Sequence, residues 1–460
     1  MEGRCMNKSP EGIAALDGDI LARMDRLEHW PLPPLSILVI GLGYFFTFFD
    51  ITDIGFAMPP IAAQFRLTHS EILFFALSVG LIGYIAGSYV IGTLADKYGR
   101  YKMLLLTMVV TGIGSFGDAL STNMVELSFF RFITGLGVGA DLNLVSVYLA
   151  EIAPPGIRGK ITSLTFLIGI LGQAVTPFIA LAVVPGFYSG WRALFGIGGV
   201  IAFIAVALRY ELPESPRWLI LNGKTKKALN ILEKMEGYIK GRGILLKEPA
   251  PVKVNAESGK FPTEYVFKGV YIRRLALFTS MWFLWYIGNY GFLGDSATLL
   301  SFRHVSLFSS IEYLSLGAAG YPLGAALMIY LSDRIERKYS IIGATFIWLA
   351  AMLLFGSLAG AAAITLGSFL ASLALGMYLQ VAYTYTAESY PTRARATGFA
   401  LSDGIGHLGG ALGALLLPVL VQRYSFFGGF AAIGITGFLA GIMALFGPSS
   451  TGRELEDISG

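Results

Sequence analysis

The sequence predicts an all-α membrane protein of about twelve transmembrane helices, arranged as two six-helix pseudo-repeats. Three observations carry that fold class. First, 55% of the 460 residues are hydrophobic and only 14% are charged, against roughly 25% charged in a soluble chain, and the mean hydropathy is +0.65. Second, the apolar residues come in runs of roughly twenty, enough to cross about 30 Å of hydrocarbon as a helix. Third, two separate motifs recur at one spacing. Leu94-Ala95-Asp96-Lys97 through Arg100 pairs with Leu331-Ser332-Asp333-Arg334 through Arg337 at 237 residues; Tyr148, Glu151, Pro154 and Arg158 pair with Tyr385, Glu388, Pro391 and Arg395 at the same distance. A shared offset marks residues 1–210 and 270–460 as copies of one unit. Parallel repeats of this kind put a solute site between the halves, near mid-membrane.

Each element follows in order. Residues 1–35 carry Ile13, Leu16, Ile20, Met24 and Leu27 at helical spacing, which predicts an amphipathic helix lying on the membrane surface. Glu11, Asp17, Asp19, Asp25 and Glu28 in the same stretch do not fit a cleaved signal peptide. Spans are expected over 36–60, 72–94, 103–122, 126–150, 161–184 and 192–210, forming an N-terminal half at 36–210. The polar segment 211–272 is a central loop rich in Lys224, Lys226, Lys227, Lys234, Lys240 and Arg242, with a surface helix over Thr225–Tyr238. Spans resume over 273–300, 311–332, 340–360, 364–388, 397–422 and 426–447, making a C-terminal half at 273–447 before a tail at 448–460.

Basic residues set the orientation. The termini, the central loop and the short loops near 96–102, 154–160, 333–339 and 391–395 hold most of the Lys and Arg. The other side holds Arg66, Arg192, Arg303 and Arg423. Both termini and the long loop are therefore expected in the cytosol of a multi-pass cell-membrane protein. The lone Cys5 rules out an internal disulfide, and four scattered histidines do not make a metal site. No phosphate-binding Gly-x-x-x-x-Gly-Lys-Ser/Thr loop appears, so ATP is not the expected energy source. No nucleophile–base constellation points to an enzyme. Neither a cofactor nor a nucleic-acid partner is expected, and the two-half design works as a monomer.

The motifs carry a resemblance. Gly92 to Lys102, with Asp96, Gly99 and Arg100, resembles the loop motif of the major facilitator superfamily between its second and third helices. Arg131, Gly135, Gly137 and Gly139, followed by Tyr148, Glu151, Pro154 and Arg158-Gly159, resemble the fourth-helix signature of sugar porters and their relatives. Pro213-Glu214-Ser215-Pro216-Arg217-Trp218-Leu219 resembles the signature after their sixth helix. The second loop motif departs from the first, with Ile329 in place of Gly92 and Glu336 in place of Gly99. Leu27 to Pro31, Asp50, Asp53, Asp141 and Tyr385 to Gly398 look like the metabolite and aromatic-acid symporter branch, which includes nicotinate transporters. Asp50, Asp53, Asp141 and Gln173 also match positions of proton-coupled phosphate transporters, but Tyr286 stands where that group carries an aspartate. The paired glutamines of sugar porters are absent from Trp282 to Asn289. The resemblance implies a secondary transporter working by alternating access, with proton symport of a small polar solute as the leading reading. A small organic acid ranks first; a sugar or phosphate symporter, or a passive facilitator, is the alternative. A non-transporting sensor on the same fold is the competing class.

Ionisable groups within the membrane are the natural functional candidates. At about 1.5 Å per residue, Asp50 and Arg131 fall at similar depth, roughly 21–22 Å from the cytosolic side. Two readings stand: a proton switch in which protonating Asp50 releases Arg131, or a structural ion pair. Asp53 shares Asp50's face, as a second titrating group or a carboxylate facing outer water. Asp141, about 15 Å along the helix from Arg131, either serves proton release or solute exit or is a wet structural carboxylate. Gln173 is placed to bond a solute. Trp282, Trp285, Tyr286, Asn289 and Tyr290 form an aromatic–polar band, and Gly288 and Gly291 beside Asn289 predict a broken, cavity-lining stretch. Asp295 falls toward the outer end. Asp403 and His407, four apart, are a relay, a solute contact or a satisfied pair. Asp96, Arg100, Glu151, Arg158, Glu214 and Arg217, with Asp333, Arg337, Glu388 and Arg395, are expected to clasp the halves together on the cytosolic side. Gly135 and Gly139 set a small-residue stripe for close helix contact.

Overall fold

The computed structural model describes residues 10–66, 79–184, 189–249, 263–301, 303, 305, 307–392 and 394–459. The segment 67–78, where the second span was expected to begin, and the side chain of Asp295 lie outside what is described. The first half contains α1 (Pro10–Asp25), α2 (Leu35–Phe65), α3 (Val79–Tyr98), α4 (Arg100–Leu120), α5 (Met124–Ile152), α6 (Arg158–Val183) and α7 (Gly190–Arg209). The connection holds α8 (Pro216–Leu221) and α9 (Thr225–Gly241). The second half contains α10 (Gly269–Ser301), α11 (Leu307–Gly317), α12 (Gly320–Leu331), α13 (Arg337–Gly356), α14 (Ala361–Glu388), α15 (Arg395–Arg423) and α16 (Phe426–Leu445), before α17 (Leu455–Ser459). Lipid offers the backbone no hydrogen bonds, so uninterrupted apolar runs close their own as helices. Eleven spans among the described residues are long and apolar enough to cross a membrane, and α10, with 33 residues, is the twelfth.

The repeat visible in the motifs is repeated in the packing. In the first half α3 packs on α5, α2 on α6, and α4 on both α5 and α7. In the second half α12 packs on α14, α10 on α15, and α13 on both α14 and α16, the same four pairings 237 residues on. The halves meet along α3 against α15 and along α6 against α12. The terminal helices α1 and α17, with α8 and α9, share one side with the loops after α3, α5, α12 and α14, called here the terminal face.

Small residues make these contacts close. A Cβ at Gly87 would stand 1.9 Å from the Leu136 carbonyl oxygen, one at Gly135 2.4 Å from the Gly80 oxygen, and one at Gly139 2.3 Å from the Tyr84 oxygen. Backbone atoms cannot step aside, so Gly87→Ala should force α3 off α5. The unfolding midpoint of the purified protein is expected to fall by several degrees, reflecting roughly 1–3 kcal/mol of overpacking. Gly80→Ala, whose Cβ meets nothing within 4 Å, should leave it in place; equal behaviour of the two would refute this account of the seam.

Two expectations are corrected here. The amphipathic stripe of α1 does not face a membrane. Ile20, Leu21 and Met24 are buried against Trp218, Leu219, Ile220, Ala228 and Leu232 of α8 and α9. Arg23 and Arg26 both donate to Glu236 (2.8 and 2.6 Å), and Thr225 donates to Asp17 (2.8 Å). A protein surface that is apolar and carries a matching carboxylate captures the helix more specifically than a lipid surface would. The seventh span, α10, is unbroken through Asn289. Gly288 packs close to the Ile433 carbonyl and Gly291 close to that of Gly413, so these glycines serve helix contact rather than a break. The interruption lies in the eighth span, at Ala318–Ala319 between α11 and α12.

Candidate functional site

The first cluster lies within the N-terminal half, away from the terminal face. Arg131 of α5 forks onto Asp50 of α2, Nη1 to Oδ1 and Nη2 to Oδ2 at 3.3 Å each. The same Nη1 lies 3.7 Å from Asp53 and 3.4 Å from Asp118 of α4. Ser115 donates to Asp50 (3.4 Å), Thr134 donates to Asp118 (3.1 Å), and the guanidinium lies 5.5 Å from the Phe195 ring centroid. Asp50 is 2% exposed, Asp53 0% and Arg131 6%, so the reading of Asp53 as a carboxylate facing water does not hold. Asp118 is the member sequence reasoning missed. An aspartate inside an apolar run is the signal that exposes it.

Asp141 belongs to a different group. It receives Arg209 Nη1 (2.5 Å) and Nη2 (3.0 Å) and the Thr107 hydroxyl (2.8 Å), all buried. Gly43 makes room for this guanidinium, since a Cβ there would stand 1.6 Å from Arg209 Nη2. Of the readings of Asp141, the wet carboxylate does not hold: the residue sits in a buried ion pair that joins α4, α5 and α7. Arg209 escaped notice because it reads as a loop charge at the end of its span.

Between the halves, Asp403 of α15 is held from both sides. Tyr84 of α3 donates to its Oδ2 (2.8 Å) and Tyr286 of α10 to its Oδ1 (2.7 Å). His407 bonds the Asp403 carbonyl through Nδ1 (2.9 Å) rather than its carboxylate, which stands 3.7 Å away. Its ring lies 3.9 Å from both the Tyr84 and Tyr286 rings, and Tyr290 is 5.8 Å away. Beside this group Asn143 bonds Ser88, and Ser88 donates to the Ala400 carbonyl across the halves (3.2 Å). Trp282 donates to Thr386 (3.1 Å) and stacks on Tyr286, while Trp285 stacks on Tyr378 at 3.7 Å. These tryptophans pack inside the second half. Asn289 is buried with its Oδ1 accepting no hydrogen bond from the protein, and Gln173 is half-buried on α6. Tyr84→Phe should remove the bond across the seam, a loss of about 1–3 kcal/mol, and lower the unfolding midpoint. Tyr330→Phe, at a side chain 69% exposed, should not; no difference between them would reject the seam bond.

The terminal face carries two matching knots. Glu151 takes Arg100 of its own half (3.0 Å) and Arg395 of the other (3.1 Å). Glu388 takes Arg337 of its own half (3.4 Å) and Arg158 of the other (3.1 Å). Asp96 accepts the Thr397 amide (3.0 Å) and hydroxyl (2.6 Å) at the start of α15. Asp333 accepts the Gly159 and Lys160 amides (2.8 and 2.6 Å) at the start of α6. Each half thus caps the other's helix where unpaired amides and the positive end of the dipole favour a carboxylate. Glu214 departs from the expected clasp. It caps α4 in its own half, accepting the Arg100 and Tyr101 amides (2.9 and 3.1 Å). Arg217 donates to Asp25 at the end of α1 (2.5 Å).

The departure in the second loop motif now has a physical reason. Gly99 has φ +110°, and a Cβ there would stand 2.1 Å from Glu214 Oε2. At the matching position Glu336 supplies the carboxylate itself, accepting the amides of Arg337 (3.0 Å) and Ser450 (3.0 Å). Burial pushes the Glu336 carboxyl up, but the Ser450 and Thr451 donors override it and hold it below the usual glutamate range.

Residues 37–460 match the sequence profile of the sugar (and other) transporter family. The chain belongs to that family, within the major facilitator superfamily. It is a multi-span transporter of small molecules and not an enzyme. It is 28% identical to a putative metabolite transport protein, YyaJ, of Bacillus subtilis, over 94% of this chain and 96% of that one. It is 27% identical to the niacin transporter NiaP of Acinetobacter baylyi, over 96% and 99%. The 4-hydroxybenzoate transporter PcaK of the same species is 31% identical, over 85% and 86%. The fold matches that of the proton:xylose symporter XylE bound to 6-bromo-6-deoxy-D-glucose, with a TM-score of 0.78, 22% identity, and 92% and 98% coverage.

Proposed function

We propose that this transporter is a proton-coupled symporter of a small organic acid in the cell membrane, with its terminal face in the cytosol. The observation that carries this reading is the fork of Arg131 on Asp50, buried while the knots at Glu151 and Glu388 hold the terminal face shut. In this arrangement the solute path is closed toward the cytosol. A proton arriving on Asp50 turns a charge-assisted fork into a weaker neutral contact and frees Arg131. The cytosolic knots then separate, and the proton and solute leave together. Asp403, His407, Tyr286, Tyr290, Asn289 and Gln173 are the groups proposed to meet the solute. The aromatic character of the Tyr84–His407–Tyr286 stack suits a flat ring, and two of the relatives are named for niacin and 4-hydroxybenzoate.

The test is uptake into proteoliposomes with and without an inward proton gradient, comparing labelled 4-hydroxybenzoate, nicotinate, a hexose and phosphate. Uphill accumulation of an organic acid only with the gradient is the expected outcome. Accumulation of the hexose or phosphate alone would replace the solute class, and gradient-independent equilibration would leave a facilitator.

A further inference from the structure

The outer cluster holds more acid than the switch needs. Asp50, Asp53 and Asp118 surround one guanidinium, and among the described residues Arg131 is the cation in ion-pair reach of all three. The groups facing them are the Ser115 and Thr134 hydroxyls and the Phe195 ring. Arg192 of α7, the next cation, donates to the Ala119 carbonyl (2.7 Å) and lies over the Trp191 ring at 4.2 Å. Fully ionised, the cluster would carry two uncompensated negative charges in a site with almost no exposed surface, an arrangement that burial penalises heavily. The geometry also shows where protons fit. Asp50 is forked by Arg131, whereas neither Asp53 oxygen nor Asp118 Oδ1 accepts a hydrogen bond from the protein.

We infer that the Asp50–Asp53–Asp118–Arg131 cluster loads two protons per transport cycle, with Asp118 as an essential second proton carrier. This rests on the symport reading and extends it. In the state described, Asp50 and Arg131 form the ion pair, and Asp53 and Asp118 are carboxylic acids, so the cluster is neutral. Asp53 lies one turn from Asp50 and can hand it a proton, which opens the Asp50 fork and passes the Arg131 ion pair to the Asp53 carboxylate left behind, 3.7 Å away. When the cytosolic side opens, two protons leave two carboxyl groups, and the electrons of both O–H bonds stay on the carboxylates. For a monoanionic acid the cycle moves one net positive charge inward. An inside-negative potential of 100 mV then contributes about 2.3 kcal/mol, roughly 50-fold in accumulation, whereas a one-proton cycle is electroneutral and insensitive to potential.

The experiment measures proton influx, with a trapped pH-sensitive dye, against influx of whichever labelled solute accumulates, in the wild type, Asp118→Asn and Asp118→Glu. A ratio near two in the wild type and in Asp118→Glu, falling to one in Asp118→Asn, is expected. A wild-type ratio of one with gradient-driven uptake intact would overturn the two-proton inference and leave symport standing. A ratio unchanged at two in Asp118→Asn would overturn the role of Asp118. Loss of gradient dependence in the wild type would overturn the symport reading itself. Should Asp118→Asn not transport, the infrared stretch of protonated carboxyl groups in the lipid-embedded protein decides. Loss of part of that band in the variant supports the assignment, and an unchanged band rejects it.

Discussion

Replacing Asp50 with Asn is expected to abolish uphill uptake while leaving solute exchange at equal concentrations intact. The substitution removes the anion that Arg131 forks at 3.3 Å on both sides, and with it the charge-assisted contact that a single proton arriving at Asp50 weakens. Accumulation driven by a one-unit pH gradient, at least tenfold for a coupled acid, should fall to equilibrium. The fold should survive, because Asp118 at 3.4 Å or Asp53 at 3.7 Å can give up its proton and take over the ion pair with the guanidinium. Paired measurements of gradient-driven uptake and counterflow in proteoliposomes check both halves of the expectation. Retained uphill uptake in the variant would remove Asp50 from the coupling mechanism.

Glu151→Gln should drive the protein toward the state open on its terminal face. Glu151 is 1% exposed and receives an arginine from each half. Breaking one partner of a buried charge pair costs about 3–5 kcal/mol. When the face opens, Arg395 reaches water and needs the carboxylate less, so most of that loss falls on the closed state. About 3 kcal/mol moves the equilibrium roughly 100-fold. Spin labels at Gly156 and Arg334, with Cys5 first replaced, report the separation of the halves. The variant should show a longer distance population than the wild type. An unchanged distribution would mean that Glu151 does not hold the closed state.

Much of this architecture was legible in advance because the solvent imposes it. Where neighbours are lipid, hydropathy and run length decide helix positions, and the shared offset between Asp96 and Asp333, and between Glu151 and Glu388, announced the duplicated packing. The Asp50–Arg131 contact was legible from helix rise alone, since both residues fall at one depth. Depth arithmetic says nothing about rotation around a helix axis, however. That is why Asp141 was left without Arg209 and why Glu214 was assigned to the clasp although it caps α4; Asp118 was legible as a carboxylate inside an apolar run, but not as a partner of Arg131. Gly288 and Gly291 show the same limit: a glycine in an apolar run reads equally as a break or as a site of close approach, and only the neighbouring Ile433 and Gly413 carbonyls distinguish them.

By itself, then, the sequence determined the solvent, the number of spans, the repeat and the family motifs, because each depends on composition or on spacing along the chain. The tertiary structure alone decided which buried charges share partners: three carboxylates on Arg131, two tyrosines from opposite halves on Asp403, and an arginine from each half on Glu151. Such sharing depends on how helices rotate to bury small residues against one another. No local pattern encodes that rotation, because it is fixed by the sum of contacts over helices far apart in the chain.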